Sequence, residues 1–120
     1  MEKYTLVIGA SLKIERYSNK AIYKLKEKQF NVYAIGLRKG EVAGVTIATD
    51  KLSFKDVDTV TLYLNPVLQK EYYDYIISLK PRRIIFNPGT ENPSFIKLLE
   101  SHNIKSEIAC TLVLLATNQY

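Results

Sequence analysis

Four apolar runs bounded by chain-breaking residues, Tyr4–Ile8, Val32–Ile35, Val60–Leu64 and Ile84–Phe86, alternate with segments whose apolar residues recur at helical spacing. Nearly unbroken apolarity marks a strand buried on both faces, as in a parallel sheet. A weaker run at Ile108–Ala109 and a short β-like stretch at Val45–Ala48 extend the series. The helical period falls on Ala21, Ile22 and Leu25, then on Leu68, Tyr72, Ile76 and Leu79, and finally on Phe95, Leu98 and Leu99. Strand and helix taken in turn predict an α/β fold with right-handed crossovers.

The punctuation agrees with that order. Asn65-Pro66 and Asn92-Pro93 each set a capping residue before a proline suited to a first helical position, Ser18 is placed to cap the first helix, and Pro81 closes the second. Thr111–Tyr120 reads as a final short helix or tail. With 120 residues, 47% of them hydrophobic, the chain has enough apolar surface for a core without disulfides or metal staples. The expectation is one Rossmann-like three-layer domain spanning residues 1–120, a parallel sheet of about five strands with helices on both faces. The single Cys110 leaves no internal disulfide, and no apolar run is long enough for a membrane span or secretory signal. These features point to a cytoplasmic protein.

In an open parallel sheet, ligands bind beyond the carboxyl ends of the strands. Four exits meet there: Gly9-Ala10-Ser11 with the loop to Ser18, Gly36-Leu37-Arg38-Lys39-Gly40, Asn65-Pro66, and Asn87-Pro88-Gly89-Thr90. Small residues at Gly9-Ala10-Ser11 serve either a tight strand exit or a phosphate cradle ahead of a helix N-terminus. Only the first glycine of the dinucleotide fingerprint is present, because its next two positions fall on Ser11 and Ile14. Arg16 in the same loop is free to meet a phosphate or to pair on the surface.

Charge is uneven along the chain. The net charge is +5, and residues 1–40 carry nine Lys or Arg against three acids, whereas residues 41–120 carry eight against nine. Lys20, Lys24 and Lys28 read as one solvated helical stripe. Arg38-Lys39 discriminates better: an NAD site wants an acid near the end of the second strand, and two cations there favour a phosphorylated ribose. Coenzyme A, with its 3′-phosphate, and NADP, with its 2′-phosphate, both satisfy that chemistry.

Taken together, these exits resemble the CoA-binding domain family, small Rossmann-like proteins related to the CoA-binding domain of the succinyl-CoA synthetase alpha subunit. The resemblance covers nearly the whole chain. It rests on Leu6-Val7-Ile8-Gly9-Ala10-Ser11 with Arg16-Tyr17-Ser18, on Val32–Ile35 followed by Arg38-Lys39 and Gly44, on Leu64-Asn65-Pro66, on Asn87-Pro88-Gly89, and on Cys110. It implies a small-molecule nucleotide ligand, coenzyme A or an acyl-CoA. By the resemblance, Gly9, Ala10, Ser11 and Arg16, with Ser18 behind them, would meet the diphosphate, and Arg38 and Lys39 the phosphorylated ribose or diphosphate. Asn65 and Pro66 would lie at the adenosine side, and Asn87, Pro88 and Gly89 along the pantetheine path. The chain departs from the family pattern at Gly36-Leu37, where many members have Asn-Pro, and at Asn87-Pro88, where many have a Gln-containing exit.

Catalytic chemistry is hard to assemble from these residues. His102 is the single histidine, placed at the end of a helix and thus away from the strand exits, and Cys110 reads as a small hydrophobe after the last strand. One Cys and one His provide no metal site. The reading is non-catalytic binding of coenzyme A or an acyl-CoA, with a small NADP-dependent oxidoreductase or another nucleotide-binding protein as the alternative. Specific nucleic-acid binding is not expected, because the positive charge lies on one helix and two turns without interleaved aromatic residues. Tyr72, Tyr73 and Tyr75 cluster on the second helix, which makes a homodimer contact an option.

Overall fold

The first apolar run is buried from Thr5 to Ile8 because it forms the middle of a seven-stranded sheet ordered β3-β4-β2-β1-β5-β6-β7. A computed structural model describes residues 2–120. Its strands are β1 (Tyr4–Ala10), β2 (Asn31–Gly36), β3 (Gly40–Val42), β4 (Val45–Ala48), β5 (Val57–Leu62), β6 (Arg83–Phe86) and β7 (Lys105–Ile108). The helices are α1 (Tyr17–Glu27), α2 (Pro66–Gln69), α3 (Tyr73–Ser78), α4 (Pro93–Ser101) and α5 (Thr111–Ala116), with a 3-10 turn at Lys70–Tyr72. All pairings are parallel except β3 with β4.

Alternation along the strands sorts the core into two layers. Leu6, Ile8, Ile35, Val60, Leu62, Ile84 and Phe86 pack on one face against Ile76, Phe95 and Leu99 of α3 and α4. Val7, Ala34, Val45 and Ile47 pack on the other against Ile22 and Leu25 of α1 and Leu115 of α5. Phe95 anchors the first layer, stacking on Tyr73 at 4.1 Å and meeting Phe86 edge-on. On the first of these faces, at β2, Tyr33 is sandwiched between Tyr4 at 4.2 Å and Phe54 at 4.3 Å. The hydroxyl of Tyr33 donates to the Lys55 carbonyl at 3.1 Å, fastening the segment before β5.

The α/β three-layer class matches the sequence reading; the element count does not. Seven strands replace about five, because the chain leaves β2 into the β3-β4 hairpin rather than into a helix. Ala43 and Gly44, with φ of 50° and 81°, make its tight turn. The strand expected at Val60–Leu64 spans Val57–Leu62, and the one at Ile108–Ala109 spans Lys105–Ile108, where Arg83 bonds to Glu107 and draws polar residues into the ladder. The second helix is broken into α2, the 3-10 turn and α3. Ser18 is not the cap of α1: it lies within the first turn and is buried, while Arg16 holds the cap position without a side-chain bond. Asn65 and Asn92 do cap, accepting from the backbone N–H groups of Leu68 at 3.0 Å and Phe95 at 3.1 Å.

Candidate functional site

Strand order reverses at β1. The chain goes from β1 to β2 on one side and later returns to β5 on the other, so a crevice opens between the exits of β1 and β5. Gly9 sits at its base with φ 96°, bulged out of the β1–β2 register between Ile8 and Ala10. A Cβ at Gly9 would stand 3.0 Å from the Tyr63 carbonyl carbon, so only glycine lets the two exits approach this closely. On the other side, a Cβ at Gly36 would stand 2.3 Å from the Ala10 carbonyl oxygen. No side chain can take that place unless the Ala10 carbonyl moves.

Beyond Ala10 the loop is pinned from within. Ser11 Oγ accepts from the Lys13 N–H at 3.1 Å, and the Ser11 carbonyl accepts from Asn19 Nδ2 at 2.8 Å. Asn19 is buried in α1 and was not singled out from the sequence; a polar residue on an otherwise apolar helical face was its only signal. The pinned loop delivers the N-terminus of α1 to the crevice with no side chain capping it. Free N–H groups and the positive end of an eleven-residue helix dipole face the same edge, which suits an anion. Arg16 is exposed at that N-terminus, and Arg38 and Lys39 are exposed after β2. None of the three forms an ion pair among the described residues.

The other two exits are built differently. Asn65 is exposed but its Oδ1 is committed to the α2 cap, with Pro66 as the first helical residue. Asn87 is buried and fully engaged: Nδ2 donates to Thr61 Oγ1 at 2.7 Å and to the Leu62 carbonyl at 2.9 Å, and Oδ1 accepts from the Thr111 N–H at 2.9 Å. Thr61 and Thr111 complete the set by sharing a hydroxyl bond at 2.8 Å. Pro88 and Gly89 remain exposed, and the Gly89 N–H donates to the Glu91 carboxylate at 2.8 Å. With an acid already on its donor, the β6 exit is less suited to a phosphate than the β1 and β2 exits.

A second buried amide ties these exits together. Gln69 Nε2 donates to the carbonyls of Leu64 and Thr90, each at 2.8 Å, while its Oε1 accepts from Asn92 Nδ2 at 2.9 Å. The sequence placed Leu68 on the inner face of this helix, yet Leu68 is exposed and Gln69 is buried. Two loop carbonyls need donors there, and an apolar side chain supplies none.

Groups with chemical potential lie outside the crevice or are buried beside it. His102 is exposed and is the C-terminal cap of α4, at the opposite edge. Cys110 is half-buried at the start of α5. Burial pushes the Tyr63 phenol up to about 12, against partial relief from Thr61 and Thr111. Among the described residues no cluster of His, Cys, Asp or Glu is placed to hold a metal, and no helix is long and apolar enough to cross a membrane. A depression of about 520 Å³, lined by residues including Lys28, Phe30, Asn118 and Tyr120, lies at the far edge. There α1 and α5 present their C-terminal, electronegative ends, and Lys28 is held by Asn118 at 3.0 Å, so the depression is poorly suited to a polyanion.

An open sheet with its crevice at the strand-order reversal defines a Rossmann-like nucleotide-binding architecture. Residues 3–116 match the model of the CoA binding domain family, and the chain belongs to that family. A crystal structure of an uncharacterized protein is similar over 100% of this chain and 99% of its own, at 43% identity and a TM-score of 0.95. A hypothetical protein from Pyrococcus horikoshii OT3 is similar over 93% of this chain and 80% of its own, at 26% identity and a TM-score of 0.83. A protein from Thermus thermophilus, at 20% identity and a TM-score of 0.87 over 99% of this chain and 91% of its own, shares the fold. The curated proteins gave no match.

Proposed function

We propose that this domain is a non-catalytic cytoplasmic module that binds coenzyme A or an acyl-CoA in the crevice at the β1, β2 and β5 exits. The observation carrying the reading is that an uncapped α1 N-terminus and three cations that form no ion pair among the described residues, Arg16, Arg38 and Lys39, lie at the strand exits beside the strand-order reversal. Backbone N–H groups and Arg16 take the diphosphate, and Arg38 with Lys39 take the 3′-phosphate of the ribose. Asn65-Pro66 and Pro88-Gly89 border the adenosine and pantetheine with backbone and apolar surface. Asn87 and Ser18, both buried, act behind the wall by fixing its shape. Membership of the CoA binding domain family supports the choice of ligand.

Calorimetry with CoA and dephospho-CoA tests the phosphate assignment. One charge-assisted phosphate contact is worth about 1.5–3 kcal/mol, so dephospho-CoA is expected to bind roughly 10- to 100-fold more weakly. Arg38→Ala with Lys39→Ala is expected to abolish that difference. Equal affinity for both ligands in the parent protein would refute the role given to the two cations.

A further inference from the structure

β7 ends the sheet, and its outer side carries no strand. The Lys105 N–H donates to the Arg82 carbonyl at 3.2 Å and the Ala109 N–H to the Phe86 carbonyl at 3.1 Å, so alternate residues from Lys105 onward turn their backbone groups toward β6. By the same alternation Ser106 and Ile108 turn theirs outward, away from the sheet. Neither a proline nor a bulge interrupts the strand, and Ile108 is 65% exposed. Ser106 Oγ is buried yet has no hydrogen-bond partner among the described residues. Buried hydroxyls are nearly always bonded, so this one marks the edge as a place where a partner is to be sought.

The strand is complementary to itself. Set antiparallel to a second copy with Ser106 opposite Ser106, it brings Lys105 opposite Glu107, Glu107 opposite Lys105, and Ile104 opposite Ile108. We propose that β7 pairs with β7 of a second copy about a two-fold axis through Ser106, joining the two sheets into one. Residues directly opposite share a face, so the two Ser106 hydroxyls meet each other, and two cross-strand ion pairs and two apolar pairs flank them. The Lys105 side chain is 66% exposed and free to reach across, while Glu107 stays anchored by Arg83 at 3.3 Å. The Ser106 N–H donates to the opposite Ser106 carbonyl in both directions, and the Ile108 N–H to the opposite Ile104 carbonyl. The Ile104 N–H is already committed to Leu99 at 3.0 Å. The other edge, β3, lacks this symmetry: pairing about its middle residue would set Glu41 against Glu41. The tyrosines of the second helix are engaged internally, Tyr73 stacked on Phe95 and Tyr75 bonded to the Leu52 carbonyl. β5 and β6 separate β7 from β1, so the contact leaves the crevice open and does not depend on its ligand.

Sedimentation velocity of the full chain from micromolar to millimolar concentration tests the pairing. A short strand pair makes a small interface, so a reversible monomer–dimer equilibrium is expected, with dimer dominant toward the upper end. Ser106→Pro removes an N–H that points outward and so spares the ladder to β6; it is expected to abolish the dimer, with its fold checked by urea unfolding. Lys105→Glu, at an exposed position, sets like charges opposite each other on both sides of the axis and is expected to weaken dimerisation roughly tenfold, which keeps the test open if the proline variant does not fold. Register is read separately in a Cys110→Ser background: mild oxidation is expected to cross-link Ser106→Cys into a covalent dimer, whereas Lys105→Cys, which faces Glu107 rather than itself, is expected to lose most of that yield. A monomer at every concentration, a dimer that neither Ser106→Pro nor Lys105→Glu weakens, or equal cross-linking through the two cysteines overturns the proposal.

Discussion

Two Asn-Pro strand exits that look alike in sequence are predicted to differ severalfold in what their asparagines contribute. Asn65 is exposed and makes one capping bond, to the Leu68 N–H at 3.0 Å, so Asn65→Ala is expected to cost about 1 kcal/mol, the usual loss of a cap. Asn87 is buried and makes three bonds, linking β5, β6 and the first residue of α5. Asn87→Ala removes the partner of the Thr111 N–H and a donor to the Leu62 carbonyl, while Thr61 keeps its bond to Thr111. At about 1–2 kcal/mol for each buried group left without its partner, the loss is about 3 kcal/mol. An unfolding entropy of about 2.1 cal/mol/K per residue converts this to a fall in Tm of about 12 °C, against about 4 °C for Asn65→Ala. Urea unfolding followed by circular dichroism gives both values from midpoints at constant slope. Equal losses in the two variants, or a loss under 1 kcal/mol for Asn87→Ala, would refute the view that Asn87 is a structural tie rather than an open wall of the crevice.

Other outcomes follow from the same geometry. Gly36→Ala places its Cβ 2.3 Å from the Ala10 carbonyl oxygen and is expected to cost about 2 kcal/mol or more, whereas Gly44→Asn, with open space but a left-handed φ of 81°, is expected to cost less, about 1 kcal/mol, in thermal unfolding. Tyr63 is raised from 10.0 to about 12 by burial, so its neutral form is the one the fold favours. The associated stability is therefore complete below pH 10 and is lost as pH rises toward 12. Tyr63→Phe is expected to flatten part of that alkaline decline in urea midpoints, and an unchanged decline would contradict the assignment.

Much of the fold was legible because burial on both faces writes a strand as an unbroken apolar run, as in Leu6–Ile8 and Ile84–Phe86. β3 was not legible: three residues, Gly40–Val42, carry too little pattern, and their pairing with β4 is decided by the turn at Ala43 and Gly44. β7 was misplaced by the same kind of tertiary effect, since Glu107 is drawn into the ladder as partner to the buried Arg83, at 3.3 Å. At the crevice, the glycines and cations could be read because their chemistry lies in the residue type itself. The supporting amides Asn19 and Gln69 could not, and Asn87 could be read only as a wall of the ligand path, because all three bond to carbonyls and N–H groups contributed by other elements. Leu68 and Gln69 show the rule reversed, the apolar residue outside and the amide inside, where unmet carbonyls outweigh the hydrophobic period.

The most direct test of the central claim is an NMR titration of ¹⁵N-labelled protein with CoA. The predicted result is saturable shifts in the amides of Gly9–Ser11, Arg16–Ser18 and Leu37–Lys39, with smaller shifts at Asn65 and Gly89, and little change at Lys28, Asn118 and Tyr120 on the far edge. Shifts centred on that far edge, or none at millimolar CoA, would contradict it.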